Sequence, residues 1–469
     1  MAAVTVKRYI AVDLGKESGS VVLTTVTDGI PVQETLYTFP MHVTRMSGKS
    51  FWNIYSIFDE VLTGLSAAGA KKLQIESLGV TSWTSDYVCV AGDGSFIGLP
   101  LASHGCLPAS LKEKFFKKLS ASDFYGITAS QIRENGTAFQ LFARYKEKNM
   151  ALENAGQLLF ISDAIVYLLT GKKICERTQL SSAGLMNVKN GKVARPVLKL
   201  SHVRPKRFHP VVTSGTKVSR LTEEIGEITG LGRLNVIAVA GSAAVSAVSV
   251  LPFEEEGSAY LYVGKEAFMG IETSAPVMND RMLELNISNV RVSESKYLVL
   301  KEIPGMEILS SCMNQWKKDG KAYSEEDIRQ LLTSSLPAKA MIDLSDSGLT
   351  MQRDMPSAIV RYCTSKEMTA PDDDSSTLRL IYESFADQCG DLFRKFQGIS
   401  PFRLKSLYVF GPYAGDEFLN GLLAGDCSVP VVSVPGELSA LGNSASQAGL
   451  GRKNLSDTFV THTFKPRTY

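Results

Sequence analysis

The chain has 469 residues, of which 44% are hydrophobic and 21% are charged, and its formal net charge is +2. This length exceeds what one core supports and predicts two α/β domains, while the lack of long basic runs argues against nucleic-acid binding. Seven widely spaced cysteines without a Cys-x-x-Cys pair indicate a reduced, cytoplasmic protein without zinc or redox sites, and no apolar run is long enough to suggest a membrane partner.

The first predicted element is a β-hairpin over residues 9–26. Two apolar runs flank a turn that carries Asp13, Gly15, Ser18 and Gly19. In such a turn, backbone N–H groups can converge on an anion, small residues let a phosphate approach, and Asp13 could hold the waters of a magnesium ion. The alternative is an ordinary hairpin whose glycines satisfy the turn geometry.

The next elements alternate between helix and strand. The residue pattern predicts an amphipathic helix over 52–68 and an apolar strand over 77–83. Helices are predicted over 138–148 and 158–169, and the second ends at Gly171, as helices commonly do. This alternation is typical of a layered α/β domain.

The second half of the chain repeats the opening pattern. Residues 258–272 again predict a strand, a glycine-marked turn and a strand, which suggests two related domains facing one another across a cleft. A further strand over 406–410 ends at Gly411, and a helix is predicted from about Asp416. This connection is a plausible nucleotide contact, although glycine is common between strands and helices.

Taken together, eight segments resemble the FGGY carbohydrate kinases, and within that family most closely the rhamnulokinases, which belong to the actin-like and hexokinase-like ATPase superfamily. The likeness extends over nearly the whole chain, and the segments follow the family's order and approximate spacing. The segments are residues 12–15, 79–87, 162–171, 240–248, 264–270, 301–309, 353–359 and 437–443.

The resemblance implies an α/β fold of two actin-like (ribonuclease H-like) domains facing a central cleft. It implies an N-terminal sugar-binding domain over residues 1–236 and a C-terminal nucleotide-binding domain over residues 237–469. ATP with Mg²⁺ would be held between paired phosphate hairpins, and the γ-phosphate would pass to a hydroxyl of a ketose. The expected partners are therefore a small sugar and ATP, bound by a monomer or a homodimer.

The resemblance also assigns site residues. A carboxylate beside an indole suits a sugar, because the ring covers C–H faces while the oxygens accept hydroxyl protons. Asp13 would hold the metal as well as the nucleotide. The implied ATP contacts are Asp13, Gly15, Ser18, Gly264, Lys265 and Gly411, and the implied sugar contacts are Trp83, Asp86, His104 and Asn135.

Three of the sugar assignments have alternatives. Asp86 could be a capping or loop residue, and His104 could be an ordinary histidine of a surface loop. Gly136 displaces Asn135 by one position from the family's register. The sugar assignments therefore depend on where the chain places these side chains.

Three motifs that serve the ATP and proton chemistry depart from the family pattern. The aspartate that accepts the hydroxyl proton falls on Ala243, so no catalytic residue is assigned. Lys265 replaces a small hydroxyl residue, and it would either bind phosphate as a point charge or fill the phosphate site by pairing with an acid. In the nucleotide loop, Pro412 lacks an N–H donor and Tyr413 adds bulk.

These observations predict ATP-dependent phosphoryl transfer to a ketose such as L-rhamnulose or L-fuculose, weakened by the missing base. The alternative is a non-catalytic sugar-binding or regulatory pseudokinase on the same fold. An actin-like ATPase that serves assembly or chaperone work is a further candidate, but the rhamnulokinase-like segments outnumber those shared by the whole superfamily.

Overall fold

A computed structural model describes residues 5–102, 109–253, 257–349, 352–436, 438–455 and 458–466. The chain folds into two compact units. The first unit takes its described residues from 1–252, 273–299 and 437–458, and the second takes its described residues from 253–272, 300–436 and 459–469.

Strands are distributed along the whole chain. In chain order they are β1 (Val6–Leu14), β2 (Ser18–Thr27), β3 (Ile30–Pro40), β4 (Val43–Met46), β5 (Lys49–Trp52), β6 (Ser77–Ser82), β7 (Tyr87–Val90), β8 (Gln157–Phe160), β9 (Cys175–Glu176), β10 (Val211–Val212), β11 (Lys217–Arg220), β12 (Asn235–Ile237), β13 (Ser258–Val263), β14 (Glu266–Thr273), β15 (Ser288–Arg291), β16 (Tyr297–Pro304), β17 (Ser406–Phe410), β18 (Val431–Val434) and β19 (His462–Phe464).

Helices connect most of these strands. They are α1 (Ile54–Ala70), α2 (Ala109–Phe116), α3 (Ala121–Thr128), α4 (Thr137–Lys146), α5 (Met150–Asn154), α6 (Ile161–Thr170), α7 (Arg177–Ser182), α8 (Arg195–Leu200), α9 (Glu223–Thr229), α10 (Ala243–Val250), α11 (Asp280–Glu284), α12 (Glu307–Lys318), α13 (Glu325–Ser334), α14 (Met355–Ser365), α15 (Asp374–Ile399), α16 (Glu417–Cys427) and α17 (Leu438–Ala448).

The main sheet of the first unit has the strand order β11-β12-β6-β1-β2-β3. Strand β1 pairs antiparallel with β2 and parallel with β6. Both faces of the sheet are covered, since Ile10 and Val12 share a core with Ile57 of α1, whereas Ala11 packs with Ala440 of α17. This two-sided burial explains why β1 is apolar at consecutive positions rather than at alternate ones.

A second core in the first unit is rich in phenylalanine. The Phe115 ring lies 4.6 Å from the Phe139 ring and 5.8 Å from the Phe124 ring, measured between centroids. The same core includes Phe160 at the end of β8 and Leu180 of α7. It supports the segment from α2 to α8, which follows the sheet strand β6 along the chain.

The sheet of the second unit repeats the topology of the first. Strands β13 and β14 form an antiparallel hairpin, and β13 also pairs parallel with β17, which pairs parallel with β18. In the first unit the hairpin of β1 and β2 is likewise followed by the parallel strands β6 and β12. The two predicted hairpins are therefore confirmed, each beside a parallel strand.

Two sequence-based boundaries differ from the structure. The predicted helix over 158–169 begins only at Ile161, because residues 157–160 form β8 and pair antiparallel with β7. A short apolar run does not distinguish a buried strand from a helix when the pairing strand is unknown.

The first unit also continues past the predicted domain boundary between residues 236 and 237. Helix α10 follows that point and packs against α17, which itself packs on β1 and β6. Residues far apart in sequence thus complete one unit, which no linear boundary can describe.

Among the described residues, no helix combines the length and the apolar character needed to cross a bilayer.

Candidate functional site

A buried carboxylate lies in the turn between strands β6 and β7, directly before β7. Asp86 is 2% exposed, and its Oδ2 atom accepts a hydrogen bond from Trp52 Nε1 at 2.7 Å and another from Trp83 Nε1 at 3.0 Å. The turn that carries it places Ser85 at a φ of 85°, a backbone conformation that side-chain-bearing residues rarely adopt. Two indole donors therefore fix the orientation of one buried carboxylate oxygen.

Gln140 links this turn to the loop that carries Asn135. The Nε2 atom of Gln140 donates to the Asn135 carbonyl at 2.8 Å, to the Ser85 carbonyl at 3.2 Å and to Asp86 Oδ1 at 3.4 Å. Thr137, the first residue of α4, also donates its hydroxyl to the Ser85 carbonyl at 2.8 Å. The start of α4 and the Asp86 turn thus form one hydrogen-bonded cluster.

Asp13 lies near the end of β1 beside the first predicted phosphate turn. Its Oδ1 atom accepts from Thr81 Oγ1 at 2.6 Å and from Ser439 Oγ at 2.8 Å. In the turn, Gly15 donates its N–H to the Ser18 carbonyl, and a Cβ at position 15 would lie 2.9 Å from that oxygen. The turn therefore needs glycine for the close approach of its own backbone.

Ala243, where the resemblance predicts a general base, is the first residue of α10. Ser242 is the N-cap residue of this helix but makes no side-chain capping bond. The preceding Gly241 donates its N–H to Glu176 Oε2 at 3.0 Å and accepts from Gln179 Nε2 at 2.8 Å. The backbone that would present a base is therefore firmly held, whereas the side chain at position 243 is only a methyl group.

Glu176 is a fully buried acid at the start of α7. Its Oε2 atom accepts from the Thr178 N–H and hydroxyl, the Gln179 N–H and the Gly241 N–H. Burial nevertheless outweighs these bonds and raises the pKa of Glu176 to about 7. Burial and the neighbouring Glu176 charge also raise the pKa of Asp163 well above its ordinary value, and Asp163 Oδ2 accepts the Glu176 N–H at 3.2 Å.

In the second unit, the turn between β13 and β14 lies beside the loop after β17. Gly264 and Lys265 form the turn, and Gly411 begins the loop with a φ of 100°. The Tyr413 N–H donates to the Val263 carbonyl at 3.3 Å, which joins the loop to the end of β13. The parallel pairing of β13 and β17 brings these segments together, because their carboxyl ends meet at one edge of the sheet.

Lys265 influences the side chain of Tyr413. Burial raises the pKa of the Tyr413 phenol, and the nearby negative charges of Asp416 and Glu307 act in the same direction. A hydrogen bond with Ser310 and the positive charge of Lys265 oppose that increase. One cation and two acids thus act on the phenol that the predicted nucleotide loop of the second unit carries.

Comparison with known proteins identifies the family. The FGGY family of carbohydrate kinases, N-terminal domain, matches residues 8–249. The chain belongs to this family. It is 32% identical over 445 residues to a rhamnulokinase of Bacteroides thetaiotaomicron, and the matched region covers 94% of this chain and 90% of that protein. A rhamnulokinase of Bacillus subtilis is 26% identical over 450 residues, which covers 96% of this chain and 91% of that protein.

Solved structures of two kinases share the fold. A gluconate kinase from Lactobacillus acidophilus superposes with a TM-score of 0.80 at 14% identity, covering 99% of this chain and 94% of that chain. A ligand-bound xylulose kinase from the same organism gives a TM-score of 0.79 at 14% identity, with coverages of 98% and 94%. The predicted α/β fold of actin-like domains is confirmed.

The structure brings the predicted residues of this family member into three groups. Trp83, Asp86 and the Asn135 backbone belong to one cluster of the first unit. Asp13, Gly15 and Ser18 lie together in the first hairpin. Gly264, Lys265 and Gly411 lie at one sheet edge of the second unit, whereas His104 lies outside the described residues. The binding roles of all ten residues stay predictions.

Sequence reasoning missed three partners of the predicted acids. Trp52 binds Asp86, and Thr81 and Ser439 bind Asp13. Trp52 was expected to begin a helix, but it ends β5 instead. A tryptophan or serine far along the chain gives no sign of its partner, although Ser439 lies within one of the segments that resemble the family.

The described residues hold no group of three or more His, Cys, Asp or Glu side chains arranged to bind a metal ion. A magnesium ion at Asp13 would therefore depend on the oxygens of its nucleotide and on water, as is usual for this metal.

Proposed function

We propose that this FGGY-family chain binds a ketose such as L-rhamnulose or L-fuculose and transfers to one of its hydroxyls the γ-phosphate of ATP at a reduced rate. The observation that carries the proposal is the Asp86 cluster of the first unit. Its position in a family segment and the two rhamnulokinase relatives support a sugar as the ligand. The first unit would then bind the sugar, and the second would supply most nucleotide contacts.

The chemistry of the Asp86 cluster suits a sugar. The Trp52 and Trp83 rings lie 4.4 Å apart between centroids, and the N–H edge of each ring meets the same carboxylate. Indole faces can cover the C–H bonds of a sugar, while carboxylate oxygens accept its hydroxyl protons. Because both indoles donate to Asp86 Oδ2, a shift of either ring would also move the carboxylate.

The hairpin around Asp13 suits a nucleotide. Gly15 lets the backbone of the turn approach the Ser18 carbonyl closely. The hydroxyls of Thr81 and Ser439 orient the Asp13 carboxylate. Asp13, Gly15 and Ser18 would hold ATP and its magnesium ion, and bound ATP would supply the phosphoryl group. The fit of these residues supports the proposal that the chain still binds nucleotide.

The proton-transfer step is the one that we expect to limit the rate. Ala243 cannot accept the proton of the attacking hydroxyl, although Gly241 and Ser242 hold the backbone before it. Loss of a general base typically costs about 10²–10⁴ in rate, which leaves slow transfer if positioning survives. A reduced rate, rather than no activity, follows from this position alone.

A non-catalytic sugar-binding protein is the second candidate, and the second unit favours it. Tyr413 adds a bulky side chain to the predicted nucleotide loop, and the positive charge of Lys265 lies near enough to oppose the burial that raises the pKa of the Tyr413 phenol. If these side chains occupy the space of the phosphates, the chain would bind sugar without efficient phosphoryl transfer.

Two measurements distinguish these candidates. Calorimetric titration with L-rhamnulose and L-fuculose, with an aldose as the control sugar, reports ketose binding. A coupled assay for ADP reports turnover with and without each ketose. ATP turnover that rises with a ketose supports the kinase, and ketose binding without turnover supports the second candidate. A protein that binds none of the ketoses contradicts both.

A further inference from the structure

The loop that carries Asn135 connects α3 to α4. It begins at Ala129, whose φ of 47° ends α3, and it leads to Gly136, the N-cap residue of α4. Residues Gln131 and Ile132 in the middle of the loop are only half-buried. A loop of this kind keeps one conformation only where other parts of the chain bind its backbone.

A distant segment supplies that support. Asn286 follows α11, and its side chain pairs with the backbone of Ile132 at both polar groups. The Ile132 N–H donates to Asn286 Oδ1 at 2.7 Å, and Asn286 Nδ2 donates to the Ile132 carbonyl at 3.1 Å. The Gln131 N–H donates to Ser288 Oγ at 2.7 Å. The side-chain amide of Asn286 thus satisfies both backbone groups of Ile132, as a residue of a paired β-strand would.

This contact continues to the Asp86 cluster. The loop held at Gln131 and Ile132 leads within three residues to Asn135, whose carbonyl accepts from Gln140 Nε2 at 2.8 Å. The same Gln140 amide reaches Asp86 Oδ1 at 3.4 Å. The position of the Asn135 loop and the hydrogen bonding of Asp86 therefore depend on the same residues.

We propose that Asn286 and Ser288 are positioning residues for the ketose site, which they serve by holding the Asn135 loop. The inference rests on the proposed ketose binding. Neither residue needs to touch the sugar. In the sequence, Asn286-Ile287-Ser288 matches the pattern of a glycosylation acceptor. In the fold, both polar side chains of this triplet bind the loop backbone instead.

The backbone conformation of Asn286 allows its side chain to be removed without backbone strain. Its φ of 53° is a conformation that glycine adopts without strain, so Asn286→Gly removes the side chain without opposing the backbone. Ser288→Ala removes the hydroxyl that accepts from Gln131. Lys148→Gly is the matched control, because Lys148 is exposed, has a φ of 52° and lies outside the loop.

The test combines ligand binding with hydrogen exchange on the full chain. We expect Asn286→Gly and Ser288→Ala each to weaken L-rhamnulose binding by about five- to tenfold in calorimetry. ATP binding should stay within about twofold of wild type, since neither residue adjoins Asp13. The amides of residues 129–136 should exchange faster in both variants. Lys148→Gly should change none of the three readouts.

Different failures have different meanings. Unchanged exchange over 129–136 would show that the two side chains do not hold the loop. Faster exchange with unchanged L-rhamnulose affinity would show that the loop is held but does not serve the sugar site, and it would equally overturn the inference. A wild-type chain that binds no ketose would refute the proposed function and the sugar role with it, while exchange would still report whether the loop is held.

Discussion

The buried acid Glu176 should make the stability of the first unit depend on pH. Burial raises its pKa to about 7 in the folded chain, against an ordinary value of 4.5. The folded chain keeps this proton to a higher pH than the unfolded chain does. The protonated acid therefore contributes its full share to the free energy of unfolding below pH 4.5, the pKa in the unfolded chain, and that contribution is lost as pH rises through 7. Asp163, whose pKa is also raised, acts in the same direction.

The size of the effect follows from the two pKa values of Glu176. Their difference of about 2.5, at about 1.4 kcal/mol for each pKa unit, corresponds to about 3–4 kcal/mol in the free energy of unfolding. Most of this change falls between about pH 5 and pH 8. The Glu176→Gln variant keeps an oxygen that can accept from Gly241 but cannot ionise, so its stability should vary less over that range.

The assay is urea unfolding at several pH values, followed by tryptophan fluorescence, for wild type and for Glu176→Gln. The free-energy difference between them should shift in favour of the glutamine variant by about 2–3 kcal/mol as pH rises. Glu227→Gln is the control, because Glu227 is exposed on α9. Asp163→Asn provides a second variant with the same expected direction. Parallel stability curves for wild type and Glu176→Gln would refute the reasoning.

Three further changes test the proposed sites. Trp52→Phe removes a donor to Asp86 and should weaken L-rhamnulose binding by about tenfold in calorimetry, and unchanged affinity would exclude Asp86 orientation as a factor. Ala243→Asp should raise ketose-dependent ADP release by about 10²–10⁴, and no gain despite binding of both ligands would place the defect elsewhere. Lys265→Ser combined with Tyr413→Gly should strengthen ATP binding severalfold, whereas weaker binding would show that Lys265 is a phosphate ligand.

Much of the fold could be predicted because it depends on local patterns. The apolar runs on either side of Gly15 and of Gly264 predict two hairpins, since strand and turn preferences act over a few residues. The family resemblance rests on short segments of the same kind, so the departures from the family pattern at Ala243 and Lys265 are visible without a structure. The sequence by itself therefore determined the fold class, the family and the positions where the chain departs from the family pattern.

The tertiary structure alone decided which side chains meet. Trp52 and Asp86 are separated by 34 residues, and Asn286 binds a loop 154 residues away. The strand at residues 157–160 likewise depends on its pairing with β7. Each of these contacts forms between segments whose own patterns are compatible with several partners. Burial and hydrogen bonding select one partner only when the whole chain has folded, because the gain depends on what surrounds each group.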